Sequence, residues 1–344
     1  SDITVCLDPV TAGSLNQCTQ TGTPRLIFGT EAFSHADVVG QKQYGAEFVA
    51  RYNYGDHAFK LNAGYSRLKI SNTFVANSLG TYYFDSLADF QARQAGQLLY
   101  QYSITGSLSD ASASFDYDQL TFGAQDSWDI TPEVNVTVGV RADGYKMKDE
   151  APLKQAFLNR YGFANNANID GDLVVQPRVG LTWRPSDRLT VRGGFGLFNG
   201  GSPDVFVGNS FSAAGVFTNT ITVGRAVGGT GCTIPASVAN AAAICAAALN
   251  NVQGNKIDPL VLSYLQTNTA ALGASPTSFM LPSFKLPAQW KSNLSVDYVA
   301  DLGSTLGDGW RLGGDLFYGH TDSAAYYTDF RLTQFCIFFF FFKF

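Results

Sequence analysis

Residues 181–200 read LTWRPSDRLTVRGGFGLFNG. From Leu189 onward every second position is apolar or glycine, through Leu189, Val191, Gly193, Phe195 and Leu197. Thr190, Arg192 and the glycines Gly194 and Gly196 lie between them. A period of two is the signature of a strand with one apolar face. Which way that face looks decides the fold class. Turned inward it would build the dry core of a soluble β-protein; turned outward it would meet lipid around a polar interior.

The same period recurs along the chain, in pairs. Gln41–Tyr54 alternates through Tyr44, Ala46, Phe48, Ala50 and Tyr52, and after Gly55-Asp56 come Phe59, Leu61, Ala63 and Tyr65. Gln119–Ile130 is followed across Thr131-Pro132-Glu133 by Val134, Val136, Val138 and Val140. Leu173–Trp183 is followed across Pro185-Ser186-Asp187 by the opening stretch, and Trp290–Ala300 by Trp310–Tyr318. Eight strands in four hairpins are predicted. Connections within pairs are short, whereas residues 71–117, 147–172 and 199–288 between pairs are long. Strict alternation of short and long connections is the habit of outer-membrane barrels, with short periplasmic turns and long extracellular loops. Loops this long are uncommon in compact soluble domains.

Several strands run to lengths that suit a tilted membrane strand of about 9–11 residues rather than the usual 5–6. Trp128, Trp183 and Trp310 border short turns, as an interfacial girdle would. With the apolar face outward, the inward set includes Glu47, Arg51, Arg141, Arg178, Arg192, Asp297, Arg311 and Asp315. So many charges would be costly in a dry core and are not in a wet lumen. Arg141, Arg178 and Arg192 are the candidate lumen-facing cations. They could attract anions, although salt bridges across the lumen wall are the commoner use of such residues. Asp126 breaks the pattern, falling on the apolar phase two residues from Trp128. An interfacial position or a bulge would explain it.

Charged residues make up 15% of the chain and aromatics 14%, with 35 glycines. An ordinary soluble protein carries about 25% charged residues. The net charge of −5 argues against nucleic acid as a partner. Before the tail no apolar run reaches the roughly 18 residues of a membrane helix. Cys6 pairs by proximity with Cys18, and Cys232 with Cys245, which predicts two loop disulfides. Unrelated free thiols are the alternative. His35, His57 and His320 are scattered, so no metal site is expected. Ala236–Asn250 and Asp258–Asn268 read as short helices, the second with Asp258 as N-cap and Pro259 at the first turn. Gly228-Gly229-Thr230-Gly231 lacks the spacing of a phosphate loop and reads as a link. No nucleophile elbow, zinc-protease motif or cofactor fingerprint occurs, so neither catalysis nor a cofactor is expected. The opening SDITVCLDPV has no signal-peptide pattern. Residues 334–344, with the run Phe338–Phe342, have neither alternation nor turn signals. They are set aside as foreign to the fold, leaving 1–333 as a partial transmembrane barrel.

FGAQDSWDITPEVNVTVGVRADGY (Phe122–Tyr145) resembles a recurrent hairpin of TonB-dependent outer-membrane receptors, at Gln125, Asp126, Trp128, Gly139 and Arg141. VVQPRVGLTWRPSDRLTVRGGFGLFNG (Val174–Gly200) is similar to the same family, in particular to its Oar-like branch, as is Tyr83–Phe90. The resemblance implies an antiparallel up-and-down barrel of about 22 strands around a plug, in the outer membrane of a Gram-negative bacterium. It implies partners of three kinds: membrane lipid, the TonB complex acting through a plug, and a small-molecule, carbohydrate or peptide solute. No plug-like segment or TonB box occurs here, so the chain is expected to be a slice of such a barrel. A passive porin or adhesin on a similar barrel is the nearest alternative, and a secreted β-rich enzyme the next.

Overall fold

The computed structural model describes residues 1–7, 24–226, 231–268, 272 and 275–330. The described strands are β1 (Asp2–Cys6), β2 (Arg25–Gly29), β3 (Asp37–Tyr54), β4 (His57–Phe74), β5 (Thr81–Phe84), β6 (Gln97–Ser103), β7 (Ser112–Thr131), β8 (Val134–Lys146), β9 (Leu173–Ser186), β10 (Leu189–Asn199), β11 (Thr218–Gly224), β12 (Ala288–Ala300) and β13 (Trp310–Ser323). The principal helices are α1 (Leu87–Gln91), α2 (Gln155–Tyr161), α3 (Asp204–Ser212), α4 (Ala241–Leu249) and α5 (Pro259–Thr267).

Eight long strands form one antiparallel sheet in the order β13-β12-β10-β9-β8-β7-β4-β3. The sheet is open, with β3 and β13 as its edges. Gly55, at φ +55°, makes the tight turn from β3 to β4. The registers of β3 with β4 and of β4 with β7 run without a shift from end to end.

Along β4 the apolar phase inverts. Phe59, Leu61, Ala63 and Tyr65 lie on the outer face. From Leu68 the buried residues are Leu68, Ile70 and Asn72, on the opposite, inner face. Strand β7 does the same in reverse, with Ala113, Phe115 and Tyr117 buried inside and then Leu120, Phe122 and Ala124 outside. In β8 the even-numbered Val134–Ala142 run outside, and Tyr145, together with Met147 just past the strand, is buried inside. The loop-side inner face therefore has its own core. Leu68, Ile70, Phe115, Tyr117, Tyr145 and Met147 pack with Val207 and Phe211 of α3 and with Met280 and Leu286. Phe115 and Phe211 stack at 4.8 Å, and the Tyr117 hydroxyl donates to Asp204 at 2.8 Å. Each fully buried apolar side chain there contributes roughly 1.5–3 kcal/mol.

The loops expected from sequence fold further than anticipated. Five short strands build a second sheet, β11-β6-β5-β1-β2, in which β1 and β5 run parallel. Helices α4 and α5 pack onto it over Tyr82, Leu98, Tyr100, Ile221 and Val223. The expectation of eight strands is thus corrected to thirteen among the described residues. The added strands are 4–7 residues long, so each shows barely two cycles of alternation. The first predicted helix starts at Ala241 rather than Ala236, because Asn240 takes a left-handed φ of +61° that no helix continues. In α5, Asp258 caps as expected, accepting from the Leu260 amide at 2.8 Å with Pro259 at the first turn. Asn219 closes the other end, donating to the carbonyls of Leu265 and Asn268 at 2.7 and 2.9 Å. The Phe-rich tail and most of the Gly228–Gly231 link lie outside the described residues.

Candidate functional site

The outer face of the long sheet is exposed and apolar between two lines of aromatic residues. At the short-turn end stand Tyr52, Trp128, Trp183, Tyr298 and Trp310. At the loop end stand Tyr44, Tyr65, Trp290 and Tyr318. The separation repeats: Tyr44 to Tyr52, Trp290 to Tyr298 and Trp310 to Tyr318 are each eight residues, or about 26 Å at 3.3 Å per residue. The cross-strand row through Tyr52 runs Tyr52, Phe59, Asp126, Val138, Val179, Phe195, Ser292, Tyr318. It begins on the short-turn line at β3 and ends on the loop-side line at β13. Seven strand steps of about 4.8 Å span roughly 34 Å, so the strands lean from the normal to those lines by about arctan(26/34), or ~38°. Among the described residues no helix is long and apolar enough to cross a membrane.

Asp126, the outlier of the sequence pattern, is explained here. Its carboxylate lies 2.7 Å from His57 Nδ1, and the imidazole stacks on Trp128 at 5.2 Å. A hydrogen-bonded polar pair beside the aromatic line is a border feature rather than a bulge, since the β4–β7 register is unbroken.

Arg141, Arg178 and Arg192 share the inner face with Glu47, Arg51 and Asp297. Arg141 grips Asp143, with Nε to Oδ1 at 3.0 Å and Nη2 to Oδ1 at 2.9 Å. Asp143 also accepts from Thr121 at 2.7 Å and from Gln176 at 2.5 Å. Gln176 in turn accepts from Arg178 at 3.1 Å and from the Asn199 amide at 3.0 Å. Arg192 pairs with Asp297 at 2.5 Å. Arg178 is different: its guanidinium lies 4.4 Å from the centre of the Phe198 ring, and among the described residues it has no carboxylate partner. Sequence reading missed Asp143 and Gln176. Their signal was only a position on the inward phase of strands already identified.

Above the inner face the connections form a cleft of about 330 Å³, bordered by Phe206, Met280, Phe284, Tyr326 and Tyr327. Beside it Phe157 and Tyr161 of α2 gather with Phe163, Phe279 and Phe330, ring centres 4.6–6.5 Å apart. Lys154 is buried next to that aromatic cluster, its Nζ donating to the Ser275 carbonyl at 2.6 Å. Burial pushes its pKa down. Exposed ring edges around one buried ammonium suit a flat or amphipathic solute with an acceptor group. None of these aromatics was singled out from sequence, although Phe157, Tyr161 and Phe163 fall within seven residues.

Cys232 and Cys245 are bonded, with Cα atoms 5.9 Å apart, which fastens α4 to the end of β11. Cys6 is buried with its Sγ 2.9 Å from the Tyr83 hydroxyl, while Cys18 lies outside the described residues. Among the described residues no group of three or more His, Cys, Asp or Glu could hold a metal.

A family model described as an outer membrane beta barrel domain matches residues 7–307. No curated protein matches the chain. Solved structures similar to it include the copper transporter OprC, at 10% identity and TM-score 0.37, covering 76% of this chain and 28% of that one. The ferric-catecholate import receptor Fiu from E. coli K12 has 11% identity and TM-score 0.37, covering 92% and 40%. The toluene transporter TbuX of Ralstonia pickettii has 9% identity and TM-score 0.28, covering 86% and 62%. The chain spans less than two thirds of the length of each.

Proposed function

The chain belongs to the family of outer membrane beta barrel domains, and from that premise we propose that it is part of the barrel wall and solute-capturing surface of a TonB-dependent receptor. Its place is the Gram-negative outer membrane. In this reading the apolar band between the aromatic lines meets lipid, and further strands pair with β3 and β13 to close the barrel. An unpaired strand edge in hydrocarbon would leave every second amide and carbonyl without a partner. A tilt of about 38° falls inside the 35–45° of such barrels.

The inner face becomes the lumen wall. Arg141 and Arg192 are spent on Asp143 and Asp297 and brace that wall. Of these three arginines, Arg178 is the one left to greet a passing anion. The long connections become extracellular, with the five-stranded sheet as a cap and the aromatic cleft as the capture surface. A small molecule, carbohydrate or peptide is taken there, and the TonB complex, acting on a plug, admits it. The Val174–Gly200 resemblance favours the Oar-like branch. No catalytic step is part of this reading.

The observation that carries it is the folded cap: loops with their own core, and α3 lying over the mouth, favour gated capture over an open pore. The rival is a passive porin. Planar-bilayer recording of the full-length protein in potassium chloride separates the two. Gated uptake predicts no steady conductance, and solute uptake by cells that stops when a protonophore is added. A steady channel with protonophore-insensitive uptake would give the function to the porin.

A further inference from the structure

Lys154, at the start of α2, is 7% exposed, yet among the described residues no carboxylate pairs with it. An ammonium has three donors, and one is spent on the Ser275 carbonyl. A buried charge without a counter-ion is strongly unfavourable. The fold nevertheless holds this one in place. Asn165, fully buried, accepts from the Lys154 amide at 2.8 Å and donates to the Pro152 carbonyl at 3.0 Å. Gly215 leaves room for the ammonium: its φ is +74°, and a Cβ there would stand 2.8 Å from Nζ.

Lys154 lines a hollow of about 210 Å³ beside the aromatic cleft. Drug-sized pockets run to roughly 300–1,000 Å³, so this one suits a single ring with a short arm. Phe279, Tyr327 and Phe330 share the lining, with Tyr327 68% and Phe330 40% exposed. Arg160 is there too, exposed, its guanidinium 5.5 Å from the centre of the Tyr161 ring. Asp329 is the one acid on the described lining. Two cations against one carboxylate leave one positive charge, which a monoanion cancels. A neutral carbohydrate would leave the buried ammonium without a counter-ion. An aryl phosphate, at about −1.5 to −2, carries more charge than the hollow offers.

We infer that this hollow binds a single-ring aryl carboxylate, with its carboxylate on Lys154 Nζ and its ring among Phe279, Tyr327 and Phe330. The carboxylate gives the ammonium the counter-ion that the chain does not, and the ring covers apolar edges now open to water. The role of the hollow in solute capture rests on the receptor reading proposed above, which it narrows to one solute class.

The test is isothermal titration calorimetry of the full-length protein in detergent with 3-phenylpropionate, 3-phenylpropanamide, acetate and maltose. The acid should bind about thirtyfold or more tighter than the amide, which keeps the ring and loses the charge. Acetate, which lacks the ring, and maltose should give no saturable heat. Lys154→Met, close in volume, should erase the preference for acid over amide, and should melt no lower than the parent because an unpaired buried charge is gone. Phe279→Leu should weaken acid and amide by the same factor, and Lys60→Gln, on the inner face of the long sheet, should change neither. An amide bound as tightly as the acid by the unaltered protein, or an acid preference that survives Lys154→Met, would overturn the inference. The conductance and uptake measurements keep the two readings apart. Protonophore-sensitive uptake of other solutes by a protein that ignores phenylpropionate sinks this inference alone. A steady channel that still prefers the acid through Lys154 keeps the site and loses the receptor, and one that binds no acid sinks both.

Discussion

Val138 and Thr137 are neighbours in β8 with opposite directions. Val138 lies midway between the aromatic lines on the outer face, half exposed, while Thr137 donates to Ser127 at 3.2 Å on the inner face. Val138→Arg should cost roughly 2–4 kcal/mol by placing a charge in hydrocarbon, and Thr137→Arg much less. Val138→Phe should be nearly neutral, because fluid lipid accepts volume that a packed core resists by about 1–3 kcal/mol. Folding of the full-length barrel into vesicles in denaturant measures all three. The same logic separates two leucines of one strand. Leu68→Ala opens a cavity against α3 and should cost about 2–5 kcal/mol, whereas Leu61→Ala on the lipid side should cost under half of that. Asp85 supplies a pH handle in the cap. It is buried with Oδ1 unpartnered, and burial raises its pKa above 3.8 despite the pull of Arg225. A group with a raised folded pKa stabilises fully below its unfolded pKa, and that contribution is lost as pH rises through the folded value. The cap should therefore be less stable at pH 7 than near pH 4 on this account, and Asp85→Asn should raise its neutral-pH stability and flatten the trend. Near-ultraviolet circular dichroism melts at the two pH values would check it.

Among the elements, the long strands were legible where their outer face is the apolar one, and illegible where the apolar phase inverts. In β4 the alternation is traced only through Tyr65, with a connection expected from residue 71; the strand in fact continues to Phe74, with Leu68 and Ile70 on the other face. On the proposed reading the break in period is the border of the membrane; it is not the end of hydrogen bonding. A period-two search cannot see through it, since the inverted stretch beyond it is too short to stand alone. The inward placement of Arg141 followed from parity, but its partner Asp143 and the bridging Gln176 needed the register between strands. The aromatic cleft joins residues from three connections, which no local pattern reveals. Cysteine spacing, by contrast, pointed to the bond at Cys232–Cys245. Its closure of a short loop should add roughly 2–3 kcal/mol to local order. Reduction should raise hydrogen exchange across Ala241–Leu249 while leaving β8 and β9 protected; uniform loosening would show that the bond serves more than α4.

For the whole molecule, two independent features combine into one angle. The aromatic lines fix the height of the apolar band, and the cross-strand register fixes how fast a row climbs from one line to the other. Together they require strands tilted by about 38°. Polarised infrared dichroism of the full-length protein in oriented bilayers should return that angle to within the usual scatter, and strands lying near the membrane plane would refute it. The central claim, that one face of this sheet meets lipid and that the apolar phase inverts where the strands leave it, has a more direct test. Single nitroxide labels at successive positions from Val134 to Met147 of the vesicle-inserted protein would be scanned for collision with oxygen, which concentrates in hydrocarbon. The account predicts a period of two with maxima at Val136, Val138, Val140 and Ala142, highest near Val138, and a collapse of accessibility at Tyr145 and Met147, where the inner face is packed under α3. Uniform accessibility, maxima at Asn135, Thr137 and Gly139, or an alternation that runs unchanged through Met147 would contradict it.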